Sequence, residues 1–169
     1  IRIGNALFRD PVAAHGGSFL VNGTFNAVTS MELEAETGGI EVSNTQIQVS
    51  NEQVGSVWQS SVMTLLARQG DIDLTNGGAL TINNNDNADP AEGSEIFLTA
   101  ENGAIRNAAG SFGFATARDL EAEAAGDIVL LTAIENLTAA STAAGNIRVD
   151  EQDDLHVISA VTADGSLTF

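Results

Sequence analysis

The chain has no cysteine, no lysine and no tyrosine, and only two prolines and one tryptophan in 169 residues. Without cysteine no disulfide staples the fold and no thiol chemistry is available. That absence leaves an extracellular home open, because large bacterial surface proteins fold without disulfides. No run of 18 or more apolar residues occurs, so no helical membrane span is expected. The sequence opens on Ile1-Arg2-Ile3, with neither initiator Met nor signal peptide, and stops on a strand-like Leu167-Thr168-Phe169. It reads as a piece of a longer polypeptide. Lysine being absent, the six basic residues are Arg2, Arg9, Arg68, Arg106, Arg118 and Arg148, against 23 acidic residues, for a net charge of −17. Such a surface repels phosphate backbones and anionic lipid, so neither nucleic acid nor membrane insertion is expected. The apolar share of 43% and a mean hydropathy of +0.07 rule out wholesale disorder.

What is present is a repeated phrase: an apolar pair in alternation, small or polar residues, a glycine, then apolar-x-apolar. It runs Leu33-Glu34-Ala35 to Gly39-Ile40-Glu41-Val42, and Leu65-Leu66-Ala67 to Gly70-Asp71-Ile72-Asp73-Leu74. It returns at Leu98 to Ile105, Leu120 to Leu130, Leu137 to Val149 and Val157 to Phe169. Self-similarity of this kind marks a solenoid, in which each unit buries its apolar face against its neighbours. The apolar residue after each glycine falls at 40, 72, 105, 128, 147 and 167, giving intervals of 32, 33, 23, 19 and 20 residues. The short intervals match one coil of a narrow β-helix. The long ones imply insertions: the polar segment 83–95, and the stretch 43–61 with an extra strand-like Ile47-Gln48-Val49 and the lone Trp58. The glycines, with Asn76-Gly77-Gly78, read as corners where the chain bends and a Cβ would clash, or where positive φ is needed. Residues 1–30 are less regular, and Asn22-Gly23 reads as a hairpin turn or a corner. Asp119 to Ala125 contains good helix formers, but its register with the other units makes it a strand.

Asp71-Ile72-Asp73-Leu74-Thr75, Gly126-Asp127-Ile128-Val129-Leu130 and Gly145-Asn146-Ile147-Arg148-Val149 resemble the Gly-Asp/Asn-Ile-x-Leu repeats of filamentous-haemagglutinin-like and autotransporter-like bacterial exoproteins. The resemblance covers residues 31–169 at the level of the repeat. It implies a right-handed parallel β-helix at the bacterial cell surface, serving as a stalk, adhesin or matrix fibre. The capping and secretion domain that begins such proteins has no counterpart in the sequence.

β-Helices also carry polysaccharide-cleaving enzymes, which need two carboxylates facing one groove. Asp71 with Asp73, or Asp150, Glu151, Asp153 and Asp154, are the available pairs. Sugar grooves are usually floored by aromatic rings, however, and Phe19, Phe25, Phe112, Phe114 and Phe169 sit in strand-like runs that read as core. A pectate-lyase type of site would need a basic residue over Ca²⁺, for which only Arg remains. His15 and His156 lack a His or Cys partner at ligand spacing and read as outward polar residues. No Ser-His-Asp, Walker or Rossmann context exists. The best metal candidate is Asp86, Asp89, Glu92 and Glu95 in the 83–95 insertion, oxygen donors of the kind that suit Ca²⁺. The spacing matches neither an EF-hand nor a β-roll, and a solvated loop is the simpler reading. No catalytic, cofactor or metal residue is assigned.

The expectation is therefore a single right-handed parallel β-helix over residues 1–169, of about seven to eight coils at ~20 residues each, with a β-sandwich as the alternative. Ile40, Val42, Leu65, Ile72, Leu74, Leu80, Ile82, Ile96, Leu98, Ile105, Ile128, Leu130, Ile147, Val149, Leu155 and Val157 are expected to point inward. The expected function is a structural or adhesive extracellular segment without catalysis. A Ca²⁺-dependent carbohydrate-binding module or a glycan-cleaving enzyme is the alternative. The expected partners are further coils of the parent chain or a second copy stacked head to tail, and host or matrix glycans or proteins.

Overall fold

The structure, a computed structural model, describes residues 1–3, 6–7, 12–50, 53–54, 57–83, 94–107, 115–152 and 154–169. Among these residues it is all strand and turn, with no helix. Apolar residues at every second position bury one side of the interior strands: Ser61–Ala67 and Ser94–Ala100 alternate buried and half-buried throughout. A single flat sheet could not hide so many short apolar stripes. The chain instead winds, and eighteen strands join into one continuous sheet.

The coils build three faces. The first face stacks Arg2–Ile3, Phe19–Val21, Ile40–Val42, Ile72–Leu74, Ile105–Asn107, residues 128–132, Ile147–Glu151 and Leu167–Thr168. The second stacks Ala6–Leu7, Phe25–Val28, Gln46–Ser50, Ala79–Asn83, residues 115–117 and residues 132–134. The third stacks Val12–Gly16, Ser30–Ala35, Ser61–Ala67, Ser94–Ala100, residues 119–124, residues 136–141 and His156–Thr162. Every one of these pairings is parallel. The only antiparallel pair among the described residues is the small hairpin Gln53–Val54 with Val57–Trp58. This is a parallel β-helix with eight rungs on its first face, and the β-sandwich alternative is excluded.

The isoleucines that follow the glycines form one internal column. Phe19, Ile40, Ile72, Ile105, Ile128, Ile147 and Leu167 pair in sequence, coil upon coil. Each of them except Leu167 is buried. On the third face Met31, Met63, Ile96, Leu120 and Leu137 form another such column. Like stacked on like keeps volumes matched from rung to rung, and each fully buried aliphatic contributes roughly 1.5–3 kcal/mol relative to exposure.

The glycines before that column are aligned too. Gly17, Gly38, Gly70, Gly103, Gly126, Gly145 and Gly165 each stand two residues ahead of it. At Gly38, Gly70, Gly103, Gly145 and Gly165 the reason is steric and not conformational. Gly77, at +77°, is the only glycine with positive φ among the described residues. A Cβ on Gly103, Gly145 or Gly165 would instead meet the backbone carbonyl of the glycine one coil earlier. At these corners the missing side chain would point along the helix axis, where stacked strands about 4.8 Å apart leave no room.

Several expectations need correcting. Ile47-Gln48-Val49 is no extra strand but an ordinary rung of the second face, paired with Phe25–Val28 and Ala79–Asn83. The first long interval instead holds the hairpin between residues 53 and 58. Asn22-Gly23 is a corner, because the strands on either side pair with other coils and not with each other. The first two intervals along the first face, from Arg2 to Leu20 to Glu41, are 18 and 21 residues. Of the residues expected inward, Val157 is exposed and Leu155 only packs partly against the core. Phe169, expected in the core, is 56% exposed. All three lie in the last coil, where no further rung covers them. Phe112 and Phe114 lie outside the described residues.

Candidate functional site

The third face carries most of the outward chemistry. Its outer positions include Glu32, Glu34, Glu95, Phe97, Asp119, Glu121, Glu123, Asn136 and Thr138, because strand alternation turns them away from the buried columns. Toward the C-terminal end a shallow cleft is lined by Glu95, Phe97, Asp119, Glu121, Thr138 and Ile158. Its carboxylates are not all free: Asp119 accepts from Asn136 Nδ2 at 2.7 Å and lies 3.3 Å from Arg118 Nε. Asn136 Oδ1 in turn faces His156 Nδ1 at 3.1 Å.

Toward the N-terminal end the same face carries a charged chain that crosses four coils. His15 Nδ1 lies 2.7 Å from Glu34 Oε2, Arg68 Nε donates to Glu34 Oε1 at 2.6 Å, and Arg68 Nη1 donates to Glu101 Oε1 at 2.8 Å. The Arg68 hydrogen bond, with that of His15 second, holds the Glu34 carboxyl below the usual carboxylate range. The same pairing raises Arg68 above its ordinary value.

The acidic residues singled out by sequence have structural work. Asp71 Oδ1 accepts the backbone N–H of Ala104 at 2.7 Å, and its other oxygen meets Arg106 at 3.1 Å. Asp73 accepts from the backbone N–H and hydroxyl of Thr75. Asp150 pairs with Arg148 at 2.7 Å. Glu151 lies in register on the buried Thr132 and accepts its hydroxyl at 2.6 Å, closing the end of the second face. Asp71 and Asp73 do share an open depression on the first face with Glu41, but both are engaged by their own neighbours. Asp154 is exposed, and Asp153 lies outside the described residues.

Of the Ca²⁺ candidates, Asp86, Asp89 and Glu92 lie outside the described residues, as does the side chain of Trp58. Glu95 sits on the third face, opposite Asp119. Reasoning from sequence missed the association of His15 with two carboxylates. His15, Glu32 and Glu34 each bring a ligand atom within 4.8 Å of the others. Sequence spacing hid it, since the histidine and Glu34 are 19 residues apart and meet only by stacking.

No family model, no curated protein and no solved structure matches this chain.

Proposed function

We propose that this chain is a structural segment of a large bacterial surface or secreted protein, a stalk, adhesin or fibre built from stacked coils, without a catalytic centre. The observation that carries the reading is the use to which the polar side chains are put. Asp71, Asp127 and Asn146 each spend a side-chain oxygen on the backbone N–H of the next coil. Among the described residues, carboxylates stand on the first and third faces and not on the second, and Glu34, Glu101, Asp119 and Glu151 likewise meet partners on a neighbouring rung. Such a layout supports a rigid rod better than a reaction centre, although the fold alone is no warrant for either. The extracellular placement rests on the repeat-level resemblance to bacterial exoproteins. Its partners are further coils of the same architecture, whether of a longer chain or of a second copy.

A second reading, a carbohydrate-binding or carbohydrate-cleaving module, draws on the cleft in which Phe97 lies beside Glu95, Asp119 and Glu121. A glycan array combined with a polysaccharide hydrolysis screen separates the two. The scaffold reading expects no turnover of any polysaccharide. Turnover that disappears in Glu121→Gln would replace it with the enzymatic one.

A further inference from the structure

The strand Val12–Gly16 of the N-terminal region lies in register on Ser30–Ala35, with His15 opposite Glu34 and Ala13 opposite Glu32. Alternation places His15, Glu32 and Glu34 together on the outer side of the third face. The cluster differs from the acidic surface elsewhere in two respects. It contains an imidazole, and one of its carboxylates is already oriented. Arg68 takes Glu34 Oε1, leaving Oε2 aimed at His15 Nδ1. Glu32, by contrast, makes no side-chain hydrogen bond among the described residues, although its carboxylate lies within 4.8 Å of the other two groups. Arg68 offsets one of the two negative charges, so the site retains the other.

We propose that His15, Glu32 and Glu34 bind one zinc-class divalent ion, which clamps the strand Val12–Gly16 onto its neighbour. One imidazole nitrogen and two carboxylate oxygens form a donor set suited to borderline metals, and three protein ligands leave a fourth position for water. Hard ions such as Ca²⁺ favour oxygen alone and would gain little from the imidazole. Tetrahedral bonds of about 2.0 Å need the His15 and Glu34 ligand atoms to part to roughly 3.3 Å. The imidazole can supply that movement, since its side chain is 52% exposed. Among the described residues Val12–Gly16 pairs with Ser30–Ala35, and the ion would add a side-chain tie between these two strands. The inference does not depend on the chain being a stalk.

The test is calorimetric titration of the chelator-treated 169-residue protein with zinc chloride, together with hydrogen exchange of residues 12–16. One ion per chain is expected, with slower exchange of that strand once zinc is bound. His15→Ala and Glu32→Gln should each weaken binding at least about tenfold, and His156→Ala should leave it unchanged. Both positions face outward, so the variants should fold; unchanged melting without zinc checks this, and Glu32→Gln preserves side-chain shape if His15→Ala does not fold. Absence of one-to-one binding would overturn the proposal. So would zinc affinity that survives both substitutions, or displacement of zinc by an equal concentration of Ca²⁺, the behaviour of a non-specific acidic surface.

Discussion

Asp127 Oδ1 lies 2.8 Å from the backbone nitrogen of Asn146, the residue that occupies the same corner one coil later. Asn146 repeats the arrangement through its own Oδ1, which accepts the backbone N–H of Ser166 at 3.0 Å. The Asp or Asn that follows the corner glycine is thus a rung-to-rung tie. Backbone donors at a bend fall out of line with the strand ladder, and a short side-chain acceptor satisfies them.

Removing one such tie should be measurable. Asp127→Ala is expected to lower unfolding free energy by about 1 kcal/mol, whereas Asp127→Asn, which keeps the acceptor, should lose much less. Urea denaturation followed by circular dichroism makes the comparison. Equal losses would show that the carboxylate acts through charge and not as an acceptor.

The glycine column offers a sharper contrast. A Cβ at Gly145 would collide with the backbone of Gly126. A Cβ at Gly126 would find its nearest neighbour, the Gly103 carbonyl oxygen, at 3.4 Å. Gly145→Ala should therefore destabilise by about 1–3 kcal/mol, as overpacking does. Gly126→Ala should be neutral or stabilising by a few tenths of a kcal/mol, through reduced freedom of the unfolded chain. Thermal melts of the two variants check this, and similar losses in both would contradict it.

Acid should loosen the charged chain on the third face. Glu34 is held below its ordinary range by Arg68 and His15. A depressed carboxyl contributes stability that is present above its unfolded value, about 4.3, and is lost as pH falls through the lower folded value. The wild type should thus lose stability over that acid window more steeply than Glu34→Gln. Melting temperatures between pH 3 and pH 6 (the range that brackets about 4.3) provide the measurement. Parallel curves would show that the ion pair adds nothing, as exposed pairs often do.

Association is the remaining expectation. The last coil exposes Val157, Ile158, Val161, Leu167 and Phe169, with Ile158 62% accessible. Its strands present unpaired backbone groups to a further rung. The net charge of −17 opposes contact between copies, and about 1 M salt shortens the screening length to ~3 Å. Sedimentation velocity should show larger species at high salt, and Ile158→Asp should abolish them. A monomer at every salt concentration would refute stacking of this chain on itself.

Fold class was legible in the residues because a solenoid writes its period into the chain. An apolar residue that must stack on its predecessor recurs in type, so Ile40, Ile72, Ile105, Ile128 and Ile147 mark the coils despite intervals of 19 to 33 residues. The corner glycine is legible for the same reason, since the rung spacing excludes a Cβ from the axis. The purpose of the aspartate after it was not, because an acceptor for the next coil and a solvated charge look alike in sequence.

Pairing across coils depends on corner lengths, and these only the tertiary structure decided. Counting back from the corner glycines aligns Arg68 with Glu101, and the two do meet at 2.8 Å. The same count sets His15, two residues before Gly17, beside Glu36, two residues before Gly38. The later corner is two residues longer, however, because Glu36 and Thr37 follow Ala35 there while Gly17 follows Gly16 directly. Gly16 stacks on Ala35, and His15 consequently lies on Glu34. Apolar periodicity determined from sequence which side chains go inward. Which charges touch on the outside was decided by how many residues each bend consumes, a quantity the buried columns do not constrain.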